Sequence, residues 1–221
     1  MARGGALEEL LAAADLPPAV SGCLAAAGPE LRAALKKDPS LIKKLKRFLD
    51  AAGAVLGLPA GTALFFTGFA PGDRTPGRLE AALAELRAAL FLRSEGFDGI
   101  RAVERAAGKT ADLRARRAGT EYFFEVRRVT GGLDGDPVKR LAAKLEKKSA
   151  QVRTTLKRHG GSAAGGIIFA AGALHFGAFR RSRALLETAR AAHSSQARPG
   201  LHVCLLEGGS CAVFPPWGGG A

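Results

Sequence analysis

The feature that most constrains the fold is a β-rich run, Glu121-Tyr122-Phe123-Phe124-Glu125-Val126-Arg127-Arg128-Val129. A Gly119-Thr120 turn separates it from a second run, Thr110-Ala111-Asp112-Leu113-Arg114-Ala115, and two such runs around a short turn read as a β-hairpin. Successive side chains of a strand alternate faces, so Glu121, Phe123, Glu125, Arg127 and Val129 share one side and Tyr122, Phe124, Val126 and Arg128 the other. On the neighbouring strand Asp112, Arg114 and Arg116 share a face. A carboxylate from each strand, Asp112 and Glu125, is therefore expected to converge at one end of the sheet. Two convergent carboxylates repel unless a cation joins them.

The flanking segments supply the rest of an α/β chain. Asp38-Pro39 reads as a helix start, and Leu41, Ile42, Leu45, Phe48, Leu49, Ala52 and Val55 follow helical spacing, with Lys43, Lys44, Lys46 and Arg47 on the other side. Residues 51 to 72 carry no charge, but Gly53, Gly57, Pro59, Gly61, Gly68 and Pro71 punctuate them. A helix end, a turn and a short strand around Ala63-Leu64-Phe65-Phe66 are expected there rather than a membrane span. After the turn-rich Pro71–Gly77 connector, Leu79, Leu83, Leu86 and Leu90 form the stripe of a helix that ends near Gly96-Phe97. A strand at Ile100 to Val103, the hairpin, and a helix from Pro137 to Arg158 with stripe Leu141, Leu145, Val152 and Leu156 come next. They are followed by a buried strand at Gly165–Ala170, a helix near residues 180 to 193, and strands at Leu201–Leu206 and Cys211–Phe214. The expected order is α-β-β-β-α-β-α-β without internal repeats. It divides into a helical extension (1–75), an α/β domain (76–214) and a frayed tail (215–221).

Charge points to a partner class. Thirty-three basic against twenty acidic residues leave a net charge of +13, and a surface this positive gains by meeting a polyanion, with nucleic acid the expected one. Cys23, Cys204 and Cys211 are too few and too scattered for a disulfide framework. The opening Met1–Glu9 places two acids before any apolar run and has no signal-sequence pattern. A reducing, cytoplasmic setting without membrane insertion is the expectation.

A hard divalent cation such as Mg²⁺ takes oxygen ligands and is commonly held by one or two carboxylates. It activates water and offsets charge on a phosphorane-like transition state, and a nearby cation such as Arg127 adds stabilisation. With these residues in place, roughly residues 79 to 171 resemble the PD-(D/E)XK nuclease superfamily: an αβββαβ order with a mixed central sheet, Asp112 at the first acidic position and Glu125-Val126-Arg127 at the second motif. The resemblance implies a restriction-endonuclease-like core behind an N-terminal helical extension. It implies Mg²⁺ (or Mn²⁺) held by Asp112, Glu125 and the Val126 carbonyl, and a lysine that orients the attacking water. Ala111 replaces the motif proline, and Arg127 stands where lysine is usual. Some members shift the lysine to the following helix, where Lys148 lies on the inward stripe and Gln151 follows three residues on. A first-helix glutamate, Glu85 with Glu80 as its alternative, is implied as a further ligand.

The expectation is thus a nuclease, endo- or exonucleolytic, acting on DNA ahead of RNA, with a homodimer compatible with it. Its rival is a nuclease-like fold that has lost its chemistry and serves as a nucleic-acid-binding or assembly module; Arg127 favours that rival. Other signals are set aside. Gly108-Lys109-Thr110 resembles the tail of a phosphate loop, but Val103 occupies the position of the first glycine. His193, His202, Cys204 and Cys211 lack zinc-site spacing. Arg180, Arg181 and Arg183 with Lys157 and Arg158 mark a second basic surface.

Overall fold

The computed structural model describes residues 9, 16, 18–25, 29–66, 68–70, 72, 73, 75, 77–103, 111–130, 133, 136–160, 163–172, 175–196, 198, 200 and 201–218. The Gly108-Lys109-Thr110 run lies outside them. The chain divides into two compact units, Met1–Leu90 and Phe91–Ala221.

The first unit is helical: α1 (Pro18–Ala25), α2 (Pro29–Lys37), α3 (Ser40–Leu56), α4 (Ala60–Ala63) and most of α5 (Arg78–Ser94). Asp38 starts α3 by accepting the Ser40 amide at 3.0 Å, and Ile42, Leu45, Phe48, Leu49 and Ala52 form its buried stripe. Lys43, Lys44 and Arg47 are exposed on the opposite side. The strand expected at Ala63–Phe66 is instead the end of α4 and a turn. The Pro59 carbonyl accepts from Thr62 and Ala63, and Phe65 and Phe66 bond back to Thr62 and Ala63, so local bonds satisfy a backbone that a strand would have to pair elsewhere. No helix among the described residues is long and apolar enough to cross a membrane.

The second unit is α/β, with a mixed seven-stranded sheet. Its strands are β1 (Asp98–Ala102), β2 (Leu113–Arg117), β3 (Thr120–Val129), β4 (Ala164–Ala171), β5 (Arg180–Arg181), β6 (His202–Glu207) and β7 (Ser210–Phe214), in the order β1-β2-β3-β4-β6-β7-β5. β1, β2 and β3 form an antiparallel meander. Helix α6 (Pro137–His159) then carries the chain to β4, parallel to β3, and α7 (Arg183–Ser194) to β6, parallel to β4. The hairpin turn sits one residue earlier than its composition suggests. Arg117 pairs with Thr120, leaving Ala118 (φ 48°) and Gly119 (φ 80°) as a two-residue loop with both residues left-handed, the conformation whose twist matches paired strands.

Helix α6 begins where Asp136 accepts the Lys139 amide at 3.1 Å with Pro137 in the first turn, and it ends at Gly160 after Lys157, Arg158 and His159. Its buried stripe of Leu141, Leu145, Ser149, Val152 and Thr155 meets the odd-numbered side chains of the sheet. Val129, Ile167, Phe169, Val203 and Leu205 pack there with Leu185 and Ala189 of α7. Gly165 permits close contact: a Cβ at this position would lie 2.6 Å from Val152 Cγ1 and 2.9 Å from the Phe123 carbonyl. The even-numbered face carries an aromatic cluster, with Phe97 edge-on to Tyr122, Phe124 and Trp217 at 5.0, 5.6 and 4.9 Å. Trp217, expected in a frayed tail, is thus packed, and its indole Nε1 donates to Glu95 at 2.7 Å. Aromatic burial and that bond hold the segment after β7 in place. Arg180 and Arg181, expected to open a helix, instead pair with Ser210 and Cys211, and Ser182 caps α7 by accepting the Leu185 amide.

Candidate active site

Asp112 immediately precedes β2 and remains in the ladder: its amide donates to the Phe124 carbonyl at 2.9 Å, and its own carbonyl accepts from Val103 at 3.0 Å. Past this point β2 no longer accompanies β3, and the Asp112 side chain takes over the pairing, with Oδ2 accepting the Val126 amide at 2.8 Å. The N–H and C=O of a strand residue point to the same edge. The Val126 carbonyl therefore faces the same opening as the Asp112 carboxylate.

Glu125 projects from the α6 side of β3 and is 2% exposed. Its carboxyl lies within hydrogen-bonding reach of Asp112, its Oε1 is 2.7 Å from Lys148 Nζ, and its buried Oε2 has no hydrogen-bond partner. Lys148, two α6 turns beyond Leu141 with a side chain 15% exposed, also donates to the Gln151 side-chain oxygen. The pair expected from strand alternation and the two polar residues expected on the helix thus meet in one cluster. The ion-pair partner of Glu125 thus comes from the helix, as Lys148, and not from an arginine of the hairpin. Arg127 is exposed at the rim, where its charge still favours the ionised form of both acids.

The electrostatics follow from burial and proximity. Burial pushes the Asp112 carboxyl above the ordinary range, against the Val126 amide, the Lys148 charge, the Glu125 hydrogen bond and the Arg127 charge. Glu125 is pushed up to about 7, first by burial and then by the Asp112 charge, with Lys148 and Arg127 opposing. Burial thus favours the neutral form of both carboxyls, and the Asp112 charge adds to this at Glu125.

Asp112, Glu125 and the Val126 carbonyl are hard oxygen donors converging beside a buried, unbonded carboxylate oxygen. Such a set fits Mg²⁺ or Mn²⁺, which keep several waters and need few protein ligands. Among the described residues no three His, Cys, Asp or Glu side chains gather as a metal-binding group. Glu85 and Glu80 lie on α5 within the first unit, Glu85 half-buried and Glu80 buried.

Thr155 belongs to the cluster and was not expected. Buried on α6, it accepts the Ala111 amide at 3.0 Å and donates to the Gln151 carbonyl at 3.1 Å. One hydroxyl thereby ties the residue before Asp112 to the helix that carries Lys148 and Gln151. Its signal in the sequence is a polar residue, like Ser149, at a buried position of the helical stripe.

No protein-family model and no curated protein matches the chain. Among solved structures, a CdiA-CT/CdiI toxin and immunity complex from Burkholderia pseudomallei is similar over 68% of this chain and 96% of that chain, with 19% identity and a TM-score of 0.42. A likeness at that level carries no argument about what this chain does.

Proposed function

We propose that the chain is a metal-dependent nuclease of the PD-(D/E)XK type that hydrolyses phosphodiester bonds, in DNA ahead of RNA. The observation that carries this reading is the convergence of Asp112 and Glu125 with Lys148 2.7 Å from Glu125. The β1-β2-β3 meander followed by α6 and a parallel β4 supports a restriction-endonuclease-like core, and the net charge of +13 suits a polyanionic substrate.

Asp112, Glu125 and the Val126 carbonyl hold Mg²⁺ or Mn²⁺, which when bound supplies Lewis acidity and a more acidic water. Lys148, fixed by Glu125 and Gln151, directs its ammonium toward the attacking water and the non-bridging phosphate oxygens. It takes the role that the motif's usual lysine has, while Arg127 at the rim neutralises charge on the scissile group. The water oxygen bonds to phosphorus, the bond to the leaving sugar oxygen breaks, and the water proton ends on the leaving group or solvent. Thr155 and the Val126 amide keep Asp112 in place as the charge shifts.

The test is cleavage of single-stranded and duplex DNA and of RNA with Mg²⁺ or Mn²⁺ by wild type, Asp112→Ala and Glu125→Ala. Wild type is expected to cut at least one substrate, with both variants down by about three orders of magnitude. If all three cleave equally, or none does, the catalytic reading fails. Silence accompanied by tight, salt-sensitive binding would install the second reading that Arg127 favours, a nuclease-like nucleic-acid-binding module.

A further inference from the structure

Strand β7 forms an incomplete edge of the sheet. β5 covers only Ser210 and Cys211. The Ser182 amide then donates to the Cys211 carbonyl at 3.0 Å, and the chain turns away into α7. The Cys211 backbone groups thus point outward from β6, and because alternate residues of a strand point the same way, so do the N–H and C=O of Val213. Among the described residues no strand lies beyond Val213.

A groove of about 920 Å³ runs along this edge, with β7 residues from Cys211 to Phe214 as its floor. Among its lining residues Arg183 and Arg190 come from α7, which packs on one face of the sheet, while Arg117, Arg181 and Trp217 all bond to Glu95 beside the aromatic cluster of the other face. Glu95 is the single acid among the lining residues, and it is engaged by Arg181 and by the Trp217 indole. Arg183 and Arg181 keep 93% and 58% of their side chains exposed, Arg183 in a solvent-exposed pair with Glu187 at 3.2 Å that an incoming carboxylate can exchange for, and the Arg190 guanidinium lies 5.3 Å over the Phe214 ring.

We propose that this groove receives an extended acidic segment of a partner protein, added as a strand alongside β7. An open strand edge offers one donor and one acceptor at alternate residues, the complement of another strand. Side chains of an added strand alternate, one set toward Arg183 and Arg190 and the other toward Arg117 and Arg181, so carboxylates on both faces find guanidinium partners. A nucleic acid would use the arginines alone, and its phosphates would meet the outward Val213 carbonyl. A second copy of this chain would bring the same four arginines and be repelled. The proposal does not rest on nuclease activity, so each can fail without the other.

Trp217 is the only tryptophan of the chain and lines the groove, so its fluorescence reports occupancy. The full chain is titrated with a synthetic peptide of about ten residues built from Glu-Glu-Val-Val repeats, which places glutamates on both faces of the strand and is long enough to span the edge. The expected result is a saturable fluorescence change with slowed hydrogen exchange of the Val213 amide. Binding weakens by about tenfold or more in Arg183→Glu/Arg190→Glu and is lost when the same peptide is N-methylated at alternate residues. The proposal is overturned if the peptide produces no saturable change up to millimolar concentration, if the N-methylated peptide binds equally well, or if an oligothymidylate occupies the groove with the same arginine dependence while the peptide does not. Circular dichroism of the double variant confirms that it is folded; both arginines are exposed, so loss of fold is not expected.

Discussion

Glu125→Gln probes the coupled carboxyls without emptying the space they occupy. In wild type the buried Glu125 carboxyl is raised from an ordinary 4.5 to about 7. The folded chain then holds a proton that the unfolded chain releases across that interval. Stability contributed by this group is fully present below pH 4.5 and is lost as pH rises through 7. At about 1.4 kcal/mol per pH unit, the loss is roughly 3 kcal/mol. Glutamine removes the titration and keeps an oxygen for Lys148, but it forfeits about 1 kcal/mol because its amide replaces the protonated acid in the hydrogen bond to Asp112. The variant should therefore be about 2 kcal/mol more stable than wild type at pH 8 without metal, and slightly less stable at pH 4.5. Denaturant unfolding followed by Trp217 fluorescence reads the second unit, and the corresponding rise in Tm is about 6 °C. Saturating Mg²⁺ should stabilise wild type at pH 8, by about 1.4 kcal/mol for each tenfold excess over Kd, and should leave the variant unchanged. Wild-type stability that stays flat from pH 4.5 to 8, or a variant with the same slope, would refute the picture of a buried, repelling pair.

Four further outcomes follow from the same geometry. Lys148→Ala should lower single-turnover cleavage by about a hundredfold or more while Mn²⁺ affinity changes little, whereas Arg127→Ala should cost about tenfold, because of the two cations Lys148 is the one in contact with Glu125; equal losses would contradict the assigned roles. Thr155→Val should leave a buried Ala111 amide unsatisfied, destabilise the chain by about 1–3 kcal/mol and weaken Mn²⁺ binding, with Thr155→Ser restoring both; an unchanged Mn²⁺ affinity would sever Thr155 from the site. Ala118→Gly should stabilise by about 1 kcal/mol in denaturant unfolding, since it relieves a left-handed alanine, and a destabilised variant would show that the loop is held otherwise. Trp217→Ala should cost about 3 kcal/mol or more by thermal unfolding, in contrast to the near-zero cost of truncating a frayed tail.

Much of the second unit is legible because alternation and helical spacing act locally. Glu121–Val129 declares its two faces in its own composition, and Asp136-Pro137 marks the start of α6 before any partner is known. Those same two periodicities place Asp112, Glu125 and Lys148 on surfaces that turn toward one another. What they leave open is decided by contacts distant in sequence. That Lys148 reaches Glu125 depends on how closely α6 packs, which Gly165 permits. Thr155 reads as one more helix residue until the Ala111 amide needs an acceptor. Trp217 has only glycine and proline around it in sequence, and its burial comes from Phe97, Tyr122 and Phe124. The Ala63–Phe66 run has strand composition, but Pro59 supplies a carbonyl that draws it into a helical turn. Arg180 and Arg181 form a strand only because β7 lies beside them.

The most direct measurement is of Mn²⁺ bound between the two acids, by electron paramagnetic resonance titration of the full chain near pH 8. One ion per chain is expected for wild type and for Arg127→Ala, with occupancy lost in Asp112→Asn and in Glu125→Gln at the same ion concentration. Full occupancy in both carboxylate variants, or no bound ion in wild type at millimolar Mn²⁺, would contradict the proposed metal-dependent site.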